Sequence, residues 1–180
     1  IASYVENFCT ATDKIAAHFH EWMTAAGGLY LRRHAPYVAT LFTTHATVMG
    51  RCIAGNHLPL YTDLTKFNAD DLARQFNVVA KHSIEKAAAA YHDAFVTVSD
   101  ITANECKFLL GREPDCITPN GFENDFVWTG EEYDAKRAEA RKTMISVAEA
   151  CLGEKFAEEP LIVGTSGRYE FRNKGIDVFI

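Results

Sequence analysis

Arg168 and Lys174 bracket a basic loop, Gly167-Arg168-Tyr169-Glu170-Phe171-Arg172-Asn173-Lys174-Gly175. An arginine fork gives paired hydrogen bonds to phosphate, and a lysine adds a compact charge. Residues 161–165, Leu-Ile-Val-Gly-Thr, read as a buried strand feeding this loop, and Gly175 opens a short amphipathic helix. A helix start with unpaired backbone N–H groups favours an anion. The two cations can therefore stabilise a departing diphosphate. The alternative is a solvated basic loop offset by Glu170, with Arg172 as its solvent-facing member. The pattern GxxxxGK[ST] is absent, so this is not a P-loop.

Two histidine motifs come next. In His18-Phe19-His20-Glu21-Trp22 the two histidines alternate, so an extended backbone sets them on one face. A metal reading needs a third ligand, and HExxH is absent. A packed histidine pair and a polar ligand contact at a strand-to-helix junction both remain open. His20 can present a ring donor to a hydroxyl, or its carbonyl to a developing positive charge. In Thr43-Thr44-His45-Ala46-Thr47 a histidine directly follows an apolar run, which core packing explains poorly. The neighbouring hydroxyls suit a sugar or phosphate; helix capping by Thr44 or Thr47 is the plainer alternative. Pro119-Asn120-Gly121 is a turn signal, and at a cleft Asn120 offers both acceptor and donors. No paired carboxylate with acid/base character and no Ser-His-Asp spacing stands out.

Elements must position these residues. Short apolar runs alternate with helical periods, which predicts an α/β chain with a Rossmann-like parallel sheet. Strands are expected at residues 37–43, 94–98 and 116–118, with helices at 101–110 and 131–152. One long helix is expected from an Asp70 cap to Asp93, with Leu72, Phe76, Val79, Ser83, Ala87 and Tyr91 on its buried face. If the strands run parallel, they deliver Thr44-His45, Ser99 and Asn120 to one sheet edge, where α/β proteins bind ligands. The charged residues of 131–152 read as a solvated helix face.

Composition narrows the classes. The 180 residues are 48% hydrophobic, enough for a sizeable core. The net charge of -6 argues against broad nucleic-acid binding. Five scattered cysteines without a CxxC read as reduced, which favours a cytoplasmic setting. The start carries no basic-then-apolar targeting pattern, and no run approaches a membrane span. The closing strand, loop and helix start are expected to open a second domain, so that the chain is a piece of a larger enzyme.

Taken in order, these motifs, with Phe42-Thr43-Thr44-His45-Ala46-Thr47-Val48-Met49-Gly50-Arg51 and Thr97-Val98-Ser99-Asp100-Ile101-Thr102, resemble glycogen synthase of the animal and fungal type. The resemblance covers essentially all of the chain. It implies a partial GT-B glycosyltransferase fold (family GT3), with residues 1–155 in the later N-terminal domain and 156–180 as linker and start of the C-terminal domain. It implies transfer of glucose from UDP-glucose or ADP-glucose to the non-reducing end of an α-1,4-glucan such as glycogen, with retention. No metal or other cofactor is implied, and a homo-oligomer is allowed for the full-length protein. His20 corresponds to the histidine near the transferred glucose, and Arg168 and Lys174 to the pair gripping the donor phosphates. Asn120 corresponds to the family's Pro-Asn-Gly turn beside the cleft, and Thr44 and His45 to a first-domain motif with either a structural or an acceptor-side, substrate-binding role. Lys81 stands where family members usually have arginine, and Ala80 where they have histidine, which points to a bacterial-type member. The family's glycine-rich loop and late carboxylate region are not among these residues, so the chain alone is expected to be inactive. A GT-B enzyme with a small acceptor and a non-catalytic glucan-binding module are the competing readings.

Overall fold

The computed structural model describes residues 1–10, 12–172 and 174–180; Asn173 of the basic loop lies outside the described residues. In chain order the elements are α1 (Ala2–Phe8), β1 (Ala16–His20), α2 (Glu21–His34), β2 (Ala39–Thr44), α3 (Val48–Gly55), α4 (Ala69–Gln75), α5 (Val79–Tyr91), β3 (Ala94–Thr97), α6 (Asp100–Glu105), β4 (Cys116–Ile117), α7 (Gly130–Leu152) and α8 (Ile176–Phe179). They fall into two compact units, Ile1–Asn120 with Tyr169–Ile180, and Gly121–Arg168.

In the first unit, β1, β2, β3 and β4 form one sheet in that order, and every pair is parallel. This is the expected α/β organisation with a parallel sheet. The register places Phe19 beside Phe42 and Phe42 beside Phe95. A row of phenylalanines therefore crosses three strands, and the Phe42 and Phe95 rings stack at 5.7 Å. Ala25 and Leu31 of α2 and Ala88 and Ala89 of α5 join the same core. The fit is close: a Cβ on Gly28 would lie 1.8 Å from His92 Nε2. A second cluster, with Met49, Ile53, Leu64, Ala73 and Leu109, holds α3 and α4.

Helix ends follow local chemistry. The Ser99 side chain accepts from Thr102 N at the start of α6, and a π-helical turn over Cys106–Leu110 ends at Gly111, with φ +76°. The expected helix from Asp70 to Asp93 is instead two. Asn77, with φ +57°, breaks it, since asparagine tolerates the left-handed region. The α4 cap is Asn68, which accepts from Asp70 N and Asp71 N, not Asp70. Asp70 instead receives Lys86 Nζ at 2.8 Å and His82 Nε2 at 3.0 Å. The break also rotates the helix, so α5 buries His82, Glu85, Ala88 and Ala89, while Val79 and Tyr91 are exposed.

In the second unit α7 ends at Gly153, with φ +78°, and buries no residue. Its charges do pair along the surface, as in Lys136 with Glu139 at 3.2 Å. Residues 161–165 form no strand; Leu161 is 87% and Val163 64% exposed. An all-apolar strand needs ladder partners and cover on both faces, and among the described residues none pairs with it.

Phe42→Ala should destabilise the first unit by about 3–5 kcal/mol. Urea unfolding followed by far-UV circular dichroism checks this, and a cost under about 1 kcal/mol would contradict the central place given to this ring.

Candidate functional site

Because the four strands are parallel, their carboxyl ends share one edge. β1 ends at His20 and β2 at Thr44, so His45 lies beside His20. His20 Nδ1 is 3.0 Å from His45 Nε2. One ring must donate and the other accept, so this bond requires at least one neutral imidazole. His18 Nε2 meets Thr43 Oγ1 at 2.7 Å, and its ring lies 4.0 Å from that of His20. Desolvation, reinforced by the charges of His20 and His45, holds His18 below the usual histidine range. The junction between β1 and α2 is strained: Glu21 has φ +63°. Its Oε1 accepts from His45 N at 3.3 Å.

The segment 44–50, from the end of β2 into α3, hangs from two buried carboxylates. Glu85 of α5 is fully buried and accepts from Thr44 Oγ1 at 2.8 Å and Val48 N at 2.9 Å. Glu105 of α6, 6% exposed, accepts from Thr47 Oγ1 at 2.8 Å and Tyr61 OH at 3.1 Å. Thr47 Oγ1 in turn accepts from Gly50 N at 2.9 Å and so caps α3. A Cβ on Gly50 would sit 2.3 Å from Glu105 Oε2, so this glycine makes room for the carboxylate. Burial pushes the Glu85 carboxyl up to about 7, against its two hydrogen bonds and with help from the charges of Glu21 and Glu105. The same charge of Glu105, after burial, raises Tyr61. The sequence reading missed this pair. The available signal was Glu85 lying three and four residues before Ala88 and Ala89, the close-packed face of α5.

Beside segment 44–50 lies a cavity of about 520 Å³ within the first unit. His45, Arg51, Arg172 and Lys174 line it, with Glu105, Glu170 and Tyr61. Three guanidinium or ammonium groups against two carboxylates give a lining suited to an anion. Arg172, expected to face solvent, lines this cavity with Lys174.

Asn120 is exposed after β4, and Arg168 is an exposed residue of the second unit. Thr44 is wholly buried, with its hydroxyl turned to Glu85. The backbone groups at the start of α8 are already bonded: Ile176 N and Asp177 N both donate to Phe171 O, at 2.9 and 3.2 Å. They are not the open anion site expected from Gly175. Lys81 lies 5.3 Å over the Trp22 ring, linking α5 to α2. Among the described residues no group of three or more His, Cys, Asp or Glu could hold a metal ion. Nor, among them, is any helix long and apolar enough to cross a membrane.

The family model described as glycogen synthase matches residues 1–180. The chain belongs to the glycogen synthase family. It is 36% identical over 172 residues to "Glycogen [starch] synthase" of Dictyostelium discoideum, covering 93% of this chain and 20% of the relative. The Neurospora crassa protein of the same name is 36% identical over 169 residues, 92% of this chain and 24% of the relative. The human liver "Glycogen [starch] synthase" is 33% identical over 172 residues, 92% of this chain and 24% of the relative. The chain thus spans about a fifth to a quarter of the length of these glycogen synthases. Membership and the parallel sheet together agree with a partial Rossmann-like, GT-B glycosyltransferase fold, and membership supports a glycosyltransferase role.

The buried Glu85 makes a pH prediction with a definite sign. Its folded pKa of about 7 exceeds the 4.5 of an ordinary glutamate. Between those values the folded state holds a proton that the unfolded state has lost, so this group's contribution to stability falls as pH rises. His18, His82 and His92 are lowered, chiefly by burial, and act in the opposite direction near neutrality. The comparison of wild type with Glu85→Gln isolates the glutamate. From pH 4.5 to 7 wild type should lose up to about 3 kcal/mol relative to the variant. Denaturant titrations across that range measure it, and a pH-independent difference would contradict the assignment.

Proposed function

We propose that the protein carrying this chain transfers glucose from a sugar nucleotide, UDP-glucose or ADP-glucose, to the non-reducing end of an α-1,4-glucan such as glycogen, with retention. The observation that carries this reading is the match to the glycogen synthase family over residues 1–180. The cation-rich cavity beside the His20–His45 pair supports it. In this proposal residues 1–155 belong to the N-terminal domain, and 156–180 are the linker and start of the C-terminal domain. The apolar run 161–165 is then a strand whose ladder partners belong to that second domain.

The chemistry is a same-face displacement. Arg168 and Lys174 bind the donor diphosphate and stabilise the charge that grows on it as the glucosyl bond breaks. The acceptor hydroxyl attacks from the same face, and the departing phosphate oxygen takes its proton. His20 places the transferred glucose and supports the positively charged transition state. His45 orients the His20 ring, and Asn120 contributes a polar contact at the same sheet edge. Thr44 acts from beneath, through Glu85. No resident cofactor enters the scheme. The departures at Lys81 and Ala80 keep a bacterial-type member within the proposal. A cytoplasmic setting, where cysteines are reduced, fits five cysteines that are all free.

In the full-length protein, Arg168→Ala and Lys174→Ala should each lower turnover about 100- to 1,000-fold and weaken donor binding. Steady-state assays with UDP-glucose and ADP-glucose, using glycogen and small glucosides as acceptors, measure both effects. Unchanged donor affinity and turnover in both variants would remove the phosphate-binding role. Transfer to small acceptors alone would remove the glucan.

A further inference from the structure

Segment 44–50 carries His45 at one end and leads into Arg51 at the other. Both residues line the cavity. The Thr44 hydroxyl and Val48 N–H of this segment donate to Glu85, and its Thr47 hydroxyl donates to Glu105. When ionised, a carboxylate is an acceptor-only group with two oxygens. Each of these two glutamates receives two donors, one on each oxygen. For Glu85 these are an end-of-strand hydroxyl and a start-of-helix N–H; for Glu105 they are the α3 cap hydroxyl and the Tyr61 phenol. A glutamine in either place would set an amide NH₂ against one of those donors.

Burying two acids is costly when simple packing would serve. Gly50 leaves room for Glu105 where any side chain would strike it. Four donors, at the end of β2, the α3 cap, the start of α3 and Tyr61, therefore converge on two carboxylates, and the segment so held presents the ring that contacts His20. We propose that Glu85 and Glu105 are positioning residues, buried acceptors that hold segment 44–50 in the geometry that sets the His45 ring against His20 and Arg51 at the cavity. The inference rests on the reading of this edge as the glucosyl-transfer site.

The test uses full-length protein with Glu85→Gln and Glu105→Gln. Thermal melts identify the folded material, and only folded protein is compared. Turnover with UDP-glucose or ADP-glucose and glycogen should fall about 10- to 100-fold. The imidazole ¹⁵N signals of His20 and His45 should shift in tautomer balance, a change that mere loss of stability would not produce in the folded fraction. Wild-type imidazole signals in both folded variants would overturn the proposal, whatever the activity, and so would wild-type turnover. If Glu85→Gln fails to fold, Thr44→Val takes its place, and if Glu105→Gln fails, Tyr61→Phe does; each deletes one donor to that carboxylate at nearly constant volume and carries the same expectations and the same refutation. If wild type transfers no glucose from either nucleotide, the functional reading falls. The imidazole signals alone then decide whether these carboxylates position the pair.

Discussion

Parallel pairing is the constraint on which the site depends. Each strand of this sheet runs in the same sense, so each must be followed by a return crossing before the next begins. The carboxyl ends, and hence His20, His45, Ser99 and Asn120, all emerge along one side. The row Phe19–Phe42–Phe95 locks the register that makes this so. Slipping β1, which buries alternate residues, by one would turn Phe19 outward and carry a neighbouring histidine inward. Core packing and site geometry are therefore one specification: the residue after Phe19 is His20, and the pair after Phe42 is Thr43 and Thr44.

The start of α3 shows how a charge is tolerated in such an interior. Val48 N and Gly50 N are among the first N–H groups of that helix, which lack partners within it. Glu85 takes one and the Thr47 hydroxyl takes the other. A helix amino terminus also carries partial positive charge, which favours a nearby carboxylate. This offsets part of the desolvation that raises Glu85. The remainder leaves the Glu85 carboxyl pushed up to about 7.

Much of the fold was legible because local signals agreed with the global arrangement. Ser99 marked the α6 start, Gly111 and Gly153 marked helix ends, and the runs at 94–98 and 116–118 marked the strands found at 94–97 and 116–117. The break at Asn77 was hidden because Leu72 and Phe76 continue a helical period that a single left-handed residue interrupts. The false face of α5 followed from that one error. Residues 161–165 have the composition of an interior strand, but composition cannot supply neighbours. At the site, His45 was legible from its place after an apolar run and His20 from its alternation with His18, and the motif order carried the family. Glu85 and Glu105 were not, because a glutamate on a helix ordinarily faces water. Only three-dimensional burial showed that these two turn inward.

The contact between Gly28 and His92 has a mechanical meaning. The imidazole edge occupies the volume that any larger residue at position 28 would need, so α2 is seated against the loop before β3 with one ring as the spacer. His92 Nδ1 is fixed on the Ala88 carbonyl at 2.9 Å, which keeps that spacer from rotating away. The height of α2 above the strands is thus gauged by an aromatic thickness, and the first residue of α2, Glu21, is carried at that height to the backbone of His45.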